Sequence, residues 1–270
     1  MINEYLCYPK LLCMMSKFPE RNGQSLSFGE HPVQHIILHI PSKVKKSALI
    51  VYIHGGGWRN GSPEGFSHIG DFFLNQGFVT AMLGYRKAPR FKHPCQIEDI
   101  GLGLRKAIDS IKAIACDKIV VIGSSSGGHL GALLCLDEEL HKKYNLKTDT
   151  FQGFCSLSGI LSFDDCLPNW SFNHLLKGFI RNQSDYRSSN PINLIKGDEK
   201  FSLLCIHGED DPLVYFNNAM AFFERFETAH PFGKQFEMIK NKYHSDVSVG
   251  LFYEDNNERR LLNTWLSSFD

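Results

Sequence analysis

An excess of either charge is missing from this chain. Its 29 basic and 29 acidic residues leave a formal net charge of zero. The basic excess of a nucleic-acid binder is therefore absent, and no polybasic patch is offered to a membrane surface. No uninterrupted apolar run approaches the ~20 residues of a membrane span. Residues 1–20 are moderately apolar, but Glu4 precedes the first basic residue and Lys10 interrupts the run. A signal peptide wants a basic start and a clean apolar stretch. The eight cysteines form no C-x-x-C pair, which argues against the common zinc and redox motifs. No cluster of His, Cys and carboxylates has zinc-site spacing, so neither a metal nor an organic cofactor is expected. The cysteines sit mostly in apolar runs such as Leu204-Cys205-Ile206 and Leu134-Cys135-Leu136. Free cysteine there behaves as a small buried hydrophobe, and a reducing, cytoplasmic setting follows as an expectation. Repeats, low-complexity tracts and linkers are also lacking.

What is present is alternation. At 270 residues the chain can bury a substantial core. Strand candidates fall at 34–40, 48–54, 78–83, 118–122, 151–157, 201–207 and 235–239. Several are nearly continuous in apolar residues, as in Ala-Leu-Ile-Val-Tyr-Ile, the pattern of strands covered on both faces. Helix candidates lie between them at 63–76, 97–114, 126–140, 216–228 and about 246–266. Such alternation predicts an α/β protein with a mostly parallel sheet and helices on both faces. One domain over 1–270 is expected. Two stretches fall outside the alternation: an N-terminal segment, 1–27, and an insertion at 162–200, which reads either as a small lid over a site or as a surface helix with an ordinary apolar face.

The stretch GSSSGGHL, from Gly123 to Leu130, joins a buried strand to a helical pattern. A residue at the tip of so tight a turn takes a strained backbone, and its neighbours two places either side crowd each other. Glycine at both places relieves the clash. Ser124 has Ile122 and Ser126 as those neighbours, and Ser126 has Ser124 and Gly128. Only Ser125 lies between two glycines, Gly123 and Gly127, so G-x-S-x-G places Ser125 at the tip as nucleophile. The competing role for Ser125 is a helix N-cap. Upstream, YIHGGGWRNGS follows another buried strand. Backbone N–H groups aimed at a developing oxyanion lower the barrier by roughly 3–4 kcal/mol each. The donors expected here are Gly56, Gly57 and Ser126. A phosphate loop is disfavoured, since neither G-x-G-x-x-G nor a Lys-Ser/Thr pair follows. His54 is expected to tie down the loop.

The HGGGW segment, the GSSSGGHLGAL segment and Tyr85-Arg86-Lys87-Ala88-Pro89 with Glu98-Asp99 resemble the α/β-hydrolase superfamily. The resemblance is nearest to its esterase/lipase branch, which includes hormone-sensitive-lipase-like esterases and arylformamidases. It runs from about Phe28 to the C-terminus. It implies the α/β-hydrolase fold and the chain order nucleophile, acid, histidine. Ser124 departs from the family, where Asp, Glu or His is common. The branch typically reads H-G-x-x-D-x-x-V after the strand that here runs into HGEDDPLV. Matching His207, Gly208 and Val214 puts the acid at Asp211, with Asp210 as competitor. The base belongs in a loop after the final strand, and KNKYHSDV offers His244 there. His230 and His129 are the alternatives.

This reading predicts a serine hydrolase acting on carboxylic esters of small uncharged substrates with short acyl groups. Candidate substrate contacts are Trp58 in the glycine loop and Trp170, Phe172, Leu176 and Phe179 in the insertion. An arylformamidase acting on N-formyl arylamines is the nearest alternative. Ser158-Gly159-Ile160, Asp164-Asp165 and Asn190-Pro191-Ile192 look like that subgroup. An acyltransferase and a non-catalytic small-molecule receptor on the same fold are the others, and the full set of candidate triad residues disfavours the receptor.

Overall fold

The structure, a computed structural model, describes residues 23–114, 116–166, 170–251, 253 and 255–269, with only the backbone of Trp170 and Ser171. Eight strands form one sheet: β1 (Gln24–Ser27), β2 (His35–His39), β3 (Ala48–Ile53), β4 (Val79–Leu83), β5 (Lys118–Ser124), β6 (Phe151–Leu157), β7 (Ser202–Gly208) and β8 (Lys234–Ile239). Their order is β1-β2-β4-β3-β5-β6-β7-β8. The β1–β2 and β2–β4 pairs are antiparallel, and every pair from β4 to β8 is parallel. The carboxyl ends of β3, β5, β7 and β8 therefore meet along one edge, where loops of open α/β sheets build their sites.

The continuous apolar strands arise from two cores. Leu49, Val51 and Ile53 of β3 enter one cluster, and Ala48, Ile50 and Tyr52 enter the other. Helix α1 (Ser67–Asn75) covers the second face, as do α8 (His244–Gly250) and α9 (Asn257–Leu266). Helices α2 (Cys95–Ser110), α3 (Ser126–Leu136) and α7 (Phe216–Arg225) cover the first. All of α3 is buried, which explains why its sequence is apolar on every side.

Three boundaries differ from the sequence reading. The expected N-terminal segment 1–27 contains an edge strand, β1; its residues 1–22 lie outside the described residues. The helix expected over 126–140 breaks at Asp137, whose extended backbone ends α3 and whose Oδ1 accepts from Leu140 N–H to cap α4 (Glu138–Lys143). A side-chain oxygen that satisfies a helix-terminal N–H competes with continuation of the helix. The last helical pattern is likewise two helices, α8 and α9. The stretch 162–200 contributes α5 (Trp170–Phe179) and α6 (Gln183–Ser189). Among the described residues no helix is long and apolar enough to cross a membrane.

Candidate active site

Ser125 stands between β5 and α3 with φ 55° and ψ −120°, a region that side-chain-bearing residues rarely enter. The flanking glycines are required as the spacing predicts. A Cβ on Gly123 would collide with Gly127 O, and one on Gly127 would collide with Ile53 O at the end of β3. Leu157 O accepts from Ser125 N–H at 2.9 Å, tying the turn to the end of β6. The Ser125 side chain makes no capping bond to α3, which removes the N-cap alternative. Its Oγ lies 2.8 Å from His244 Nε2.

His244 is the first residue of α8, beyond β8, and its Nδ1 lies 2.6 Å from Asp211 Oδ2. Asp211 is 3 % exposed. Its Oδ1 accepts from the Leu213 and Val214 amides at 3.0 and 2.9 Å, and His207 Nε2 stands 3.2 Å from Oδ2. Burial would raise the carboxyl pKa, but the facing His244 and His207 rings outweigh it and hold it well below the usual carboxylate range. Asp210 is exposed. The two loops are zipped together: Asp210 N–H donates to Lys242 O at 3.1 Å and Glu209 N–H to Ile239 O at 3.0 Å. Alternative bases are elsewhere. His230 sits beside Gln152 near the start of β6, at the opposite end of the sheet. His129 is buried in α3, accepts from Trp58 Nε1–H at 3.2 Å and donates Nε2–H to Ser189 O at 2.7 Å. Burial brings its pKa down to about 3.

The glycine loop passes beside this series. Gly55 Cα faces the elbow so closely that a Cβ there would stand 3.2 Å from Ser125 Cβ. Gly56 and Gly57 take φ of 124° and 60°, backbone that glycine supplies at least cost. Among the described residues none accepts a hydrogen bond from the Gly56, Gly57 or Ser126 amide. Ser126 opens α3, where the first amides have no partner in the helix. The Gly56, Gly57 and Ser126 amides are thus unused in the two turns that meet at Gly55 and Ser125.

The expected substrate contacts need correction. Trp58 and Phe179 have no exposure and stack on each other at 4.5 Å, so both are core residues and offer no face to a substrate. Phe172 and Leu176 are buried with them. The spacing 172, 176, 179 marks one helix face, and that face packs inward. The side chain of Trp170 lies outside the described residues. The residue turned toward the glycine loop is Leu175, half-buried, whose methyl groups lie 3.2 Å from where a Gly57 Cβ would stand. Arg59 Nη2 of this loop donates to His174 O at 3.0 Å, and Lys92 Nζ, from the segment after β4, donates to Lys177 O and Ile180 O at 3.1 and 3.0 Å, so two separate segments hold α5. Single-residue helical offset was the available signal for Leu175.

The BD-FAE family model matches residues 37–226, more than half of the chain. The chain belongs to the BD-FAE family. It is an α/β-hydrolase of the esterase/lipase branch. Bovine (Bos taurus) arylacetamide deacetylase is 27 % identical over 188 residues, 64 % of this chain and 45 % of that protein. Esterase LipQ of Mycobacterium tuberculosis is 20 % identical over 214 residues, 74 % of this chain and 51 % of that one. The chain spans about half the length of these curated relatives. Among solved structures, esterase B from Lactobacillus rhamnosis matches with a TM-score of 0.74 at 20 % identity, covering 99 % of this chain and 97 % of that one. The fold is shared nearly end to end.

Proposed function

We propose that this BD-FAE family member is a carboxylic ester hydrolase working through an acyl-enzyme on Ser125. The unbroken series Asp211–His244–Ser125, at 2.6 and 2.8 Å, carries the reading. Asp211, as a carboxylate, only accepts, so His244 Nδ1 carries the proton and Nε2 keeps the lone pair facing Ser125. His244 takes the Ser125 proton as Oγ attacks the ester carbonyl, and Asp211 stabilises the imidazolium that forms. Gly56, Gly57 and Ser126 amides receive the oxyanion. His244 then protonates the departing alcohol, and water activated by the same ring releases the acid. Neither a metal nor an organic cofactor takes part in this scheme.

The substrate proposed is small and uncharged, with an acetyl to about butyryl acyl group and an aromatic or otherwise bulky leaving group. The proposed cover is short: α5 is one ten-residue helix, held by Arg59 of the glycine loop at His174 and by Lys92 at Lys177. A reducing, cytoplasmic setting fits the free thiols of Cys95, Cys116, Cys135, Cys155, Cys166 and Cys205. A fluorophosphonate probe tests the mechanism. It is expected to label the peptide containing Ser125 and to miss Ser125→Ala; normal labelling of that variant overturns the reading.

The second reading is hydrolysis of an N-acyl or N-formyl arylamine by the same residues. Similarity to a protein named arylacetamide deacetylase favours it. So does the segment after β6, where Tyr186 Oη–H and Asn190 Nδ2–H donate to Asp164 at 2.6 and 2.9 Å and order the loop. An arylamide turned over faster than every nitrophenyl ester would place this reading first.

A further inference from the structure

His54 is buried beneath the glycine loop, and no step above uses it. Its ring stacks on Tyr85 at 4.5 Å and on Phe66 at 5.8 Å. Nδ1 lies 2.8 Å from Gly55 O, which only accepts, so Nδ1 carries the proton. Nε2 lies 2.9 Å from Lys87 Nζ. An ammonium has donors and no acceptor, so it can face only a ring nitrogen with a free lone pair. Protonated Lys87 therefore selects the Nδ1–H form of His54. The Gly55 carbonyl and the Gly56 N–H belong to one trans peptide and point in opposite directions. A donor fixed on Gly55 O thereby fixes where the Gly56 N–H points. Slack behind the pair is absent, since even a Cβ on Gly61 would collide with Gly55 O and His54 Nδ1.

We propose that Lys87 is a positioning residue of the oxyanion hole: by donating to His54 Nε2, it holds the His54 tautomer that aims the Gly56 N–H at the developing oxyanion. This rests on the reading of Gly56 as a donor in Ser125 chemistry. The groups facing Lys87 are the Tyr85 ring, 3.4 Å from Nζ, and the charges of Glu64 and Asp99. Burial lowers the Lys87 pKa to about 7, while the two carboxylates favour its ammonium. A neutral amine has a lone pair and can accept from Nε2–H, which releases the lock. Oxyanion support is then complete at low pH and declines as pH rises through the Lys87 pKa.

The test compares wild type with Lys87→Met and Lys87→Arg. On nitrophenyl acetate, Lys87→Met is expected to lose about tenfold in kcat with KM nearly unchanged, less than the 10²–10³ lost when a donor is deleted outright. Its affinity for an aryl trifluoromethyl ketone, whose adduct places an anionic oxygen in the hole, falls by the same factor. Lys87→Arg, which also only donates, restores most of both. The alkaline decline in kcat that accompanies Lys87 deprotonation in wild type is missing in Lys87→Met. Imidazole ¹⁵N spectra of wild type are expected to show His54 protonated on Nδ1, a readout that needs neither turnover nor a folded variant. Wild-type His54 protonated on Nε2 at low pH, or a folded Lys87→Met with unchanged kcat and ketone affinity, overturns the proposal. A wild type that neither turns over esters nor labels at Ser125 overturns the hydrolase reading instead, and the ¹⁵N spectra still judge Lys87.

Discussion

Asp210 and Asp211 are adjacent carboxylates in opposite surroundings, one exposed and one buried against two imidazoles and two amides. Asp211→Asn is expected to lower kcat by orders of magnitude, about 10⁴ in the serine-protease case, because an amide holds imidazole in the wrong tautomer. Asp210→Asn should leave kcat nearly intact, and steady-state kinetics on both variants would expose a register error of one. The same environment makes a stability prediction. A carboxyl held below its unfolded pKa of about 3.9 stabilises the fold above that pH and loses this contribution as pH falls toward the folded value. The Tm gap between wild type and Asp211→Asn should therefore narrow below about pH 4. A gap that widens there would contradict the direction of the shift. Ser124 is a milder case. Its Oγ lies 2.7 Å from Ser248 Oγ in α8, so Ser124→Ala should cost about 1 kcal/mol of stability and retain most activity. The position of Ser125 was legible because the glycine requirement is local and steric. The inward turn of Trp58 was not, because it depends on Phe179 and His129, which are distant in sequence.

The tight packing at the start of α3 explains why the elbow tolerates no Cβ on its glycines. Gly127→Ala would force the helix away from Ile53 O at the end of β3. That strand carries the glycine loop, so Ser125 would move away from its proposed oxyanion donors. Activity and fluorophosphonate labelling should both be lost, even where circular dichroism reports native helix content. Full labelling of folded Gly127→Ala would show that the elbow does not need this contact. Most elements were legible from periodicity, including the seven strands β2 to β8 and the order of the helices between them. Breaks inside helical patterns were not. The Asp137 cap uses a residue that also sits comfortably on an exposed helix face, so the decision belongs to the packing around it. Edge strand β1 was missed for a related reason. Paired on one side only and mostly exposed, it needs no apolar alternation.

All four loops of the proposed site leave the carboxyl ends of parallel strands, β3, β5, β7 and β8, and only the proposed cover comes from the insertion. This separates chemistry from selectivity. The sheet fixes Ser125, Asp211, His244 and the glycine loop, while α5 supplies the residue above Gly57. His230, at the far end of the sheet, serves as a control whose replacement should leave kinetics unchanged. Leu175 is the informative position, because its half-buried side chain meets the glycine loop and packs only against the margin of the first core. It is attached to the packed face of α5 through Phe172, Leu176 and Phe179, so its own replacement should leave the helix in place. Leu175→Ala would open volume beside Gly57. The profile across nitrophenyl esters should then shift toward longer acyl chains, with KM falling for hexanoate while kcat on acetate changes little, as expected for uniform binding contacts. Leu175→Trp should do the reverse and confine turnover to acetate. Unchanged chain-length profiles in both variants would mean that the acyl group leaves Ser125 in another direction, and the proposed preference for short acyl groups would lose its structural basis.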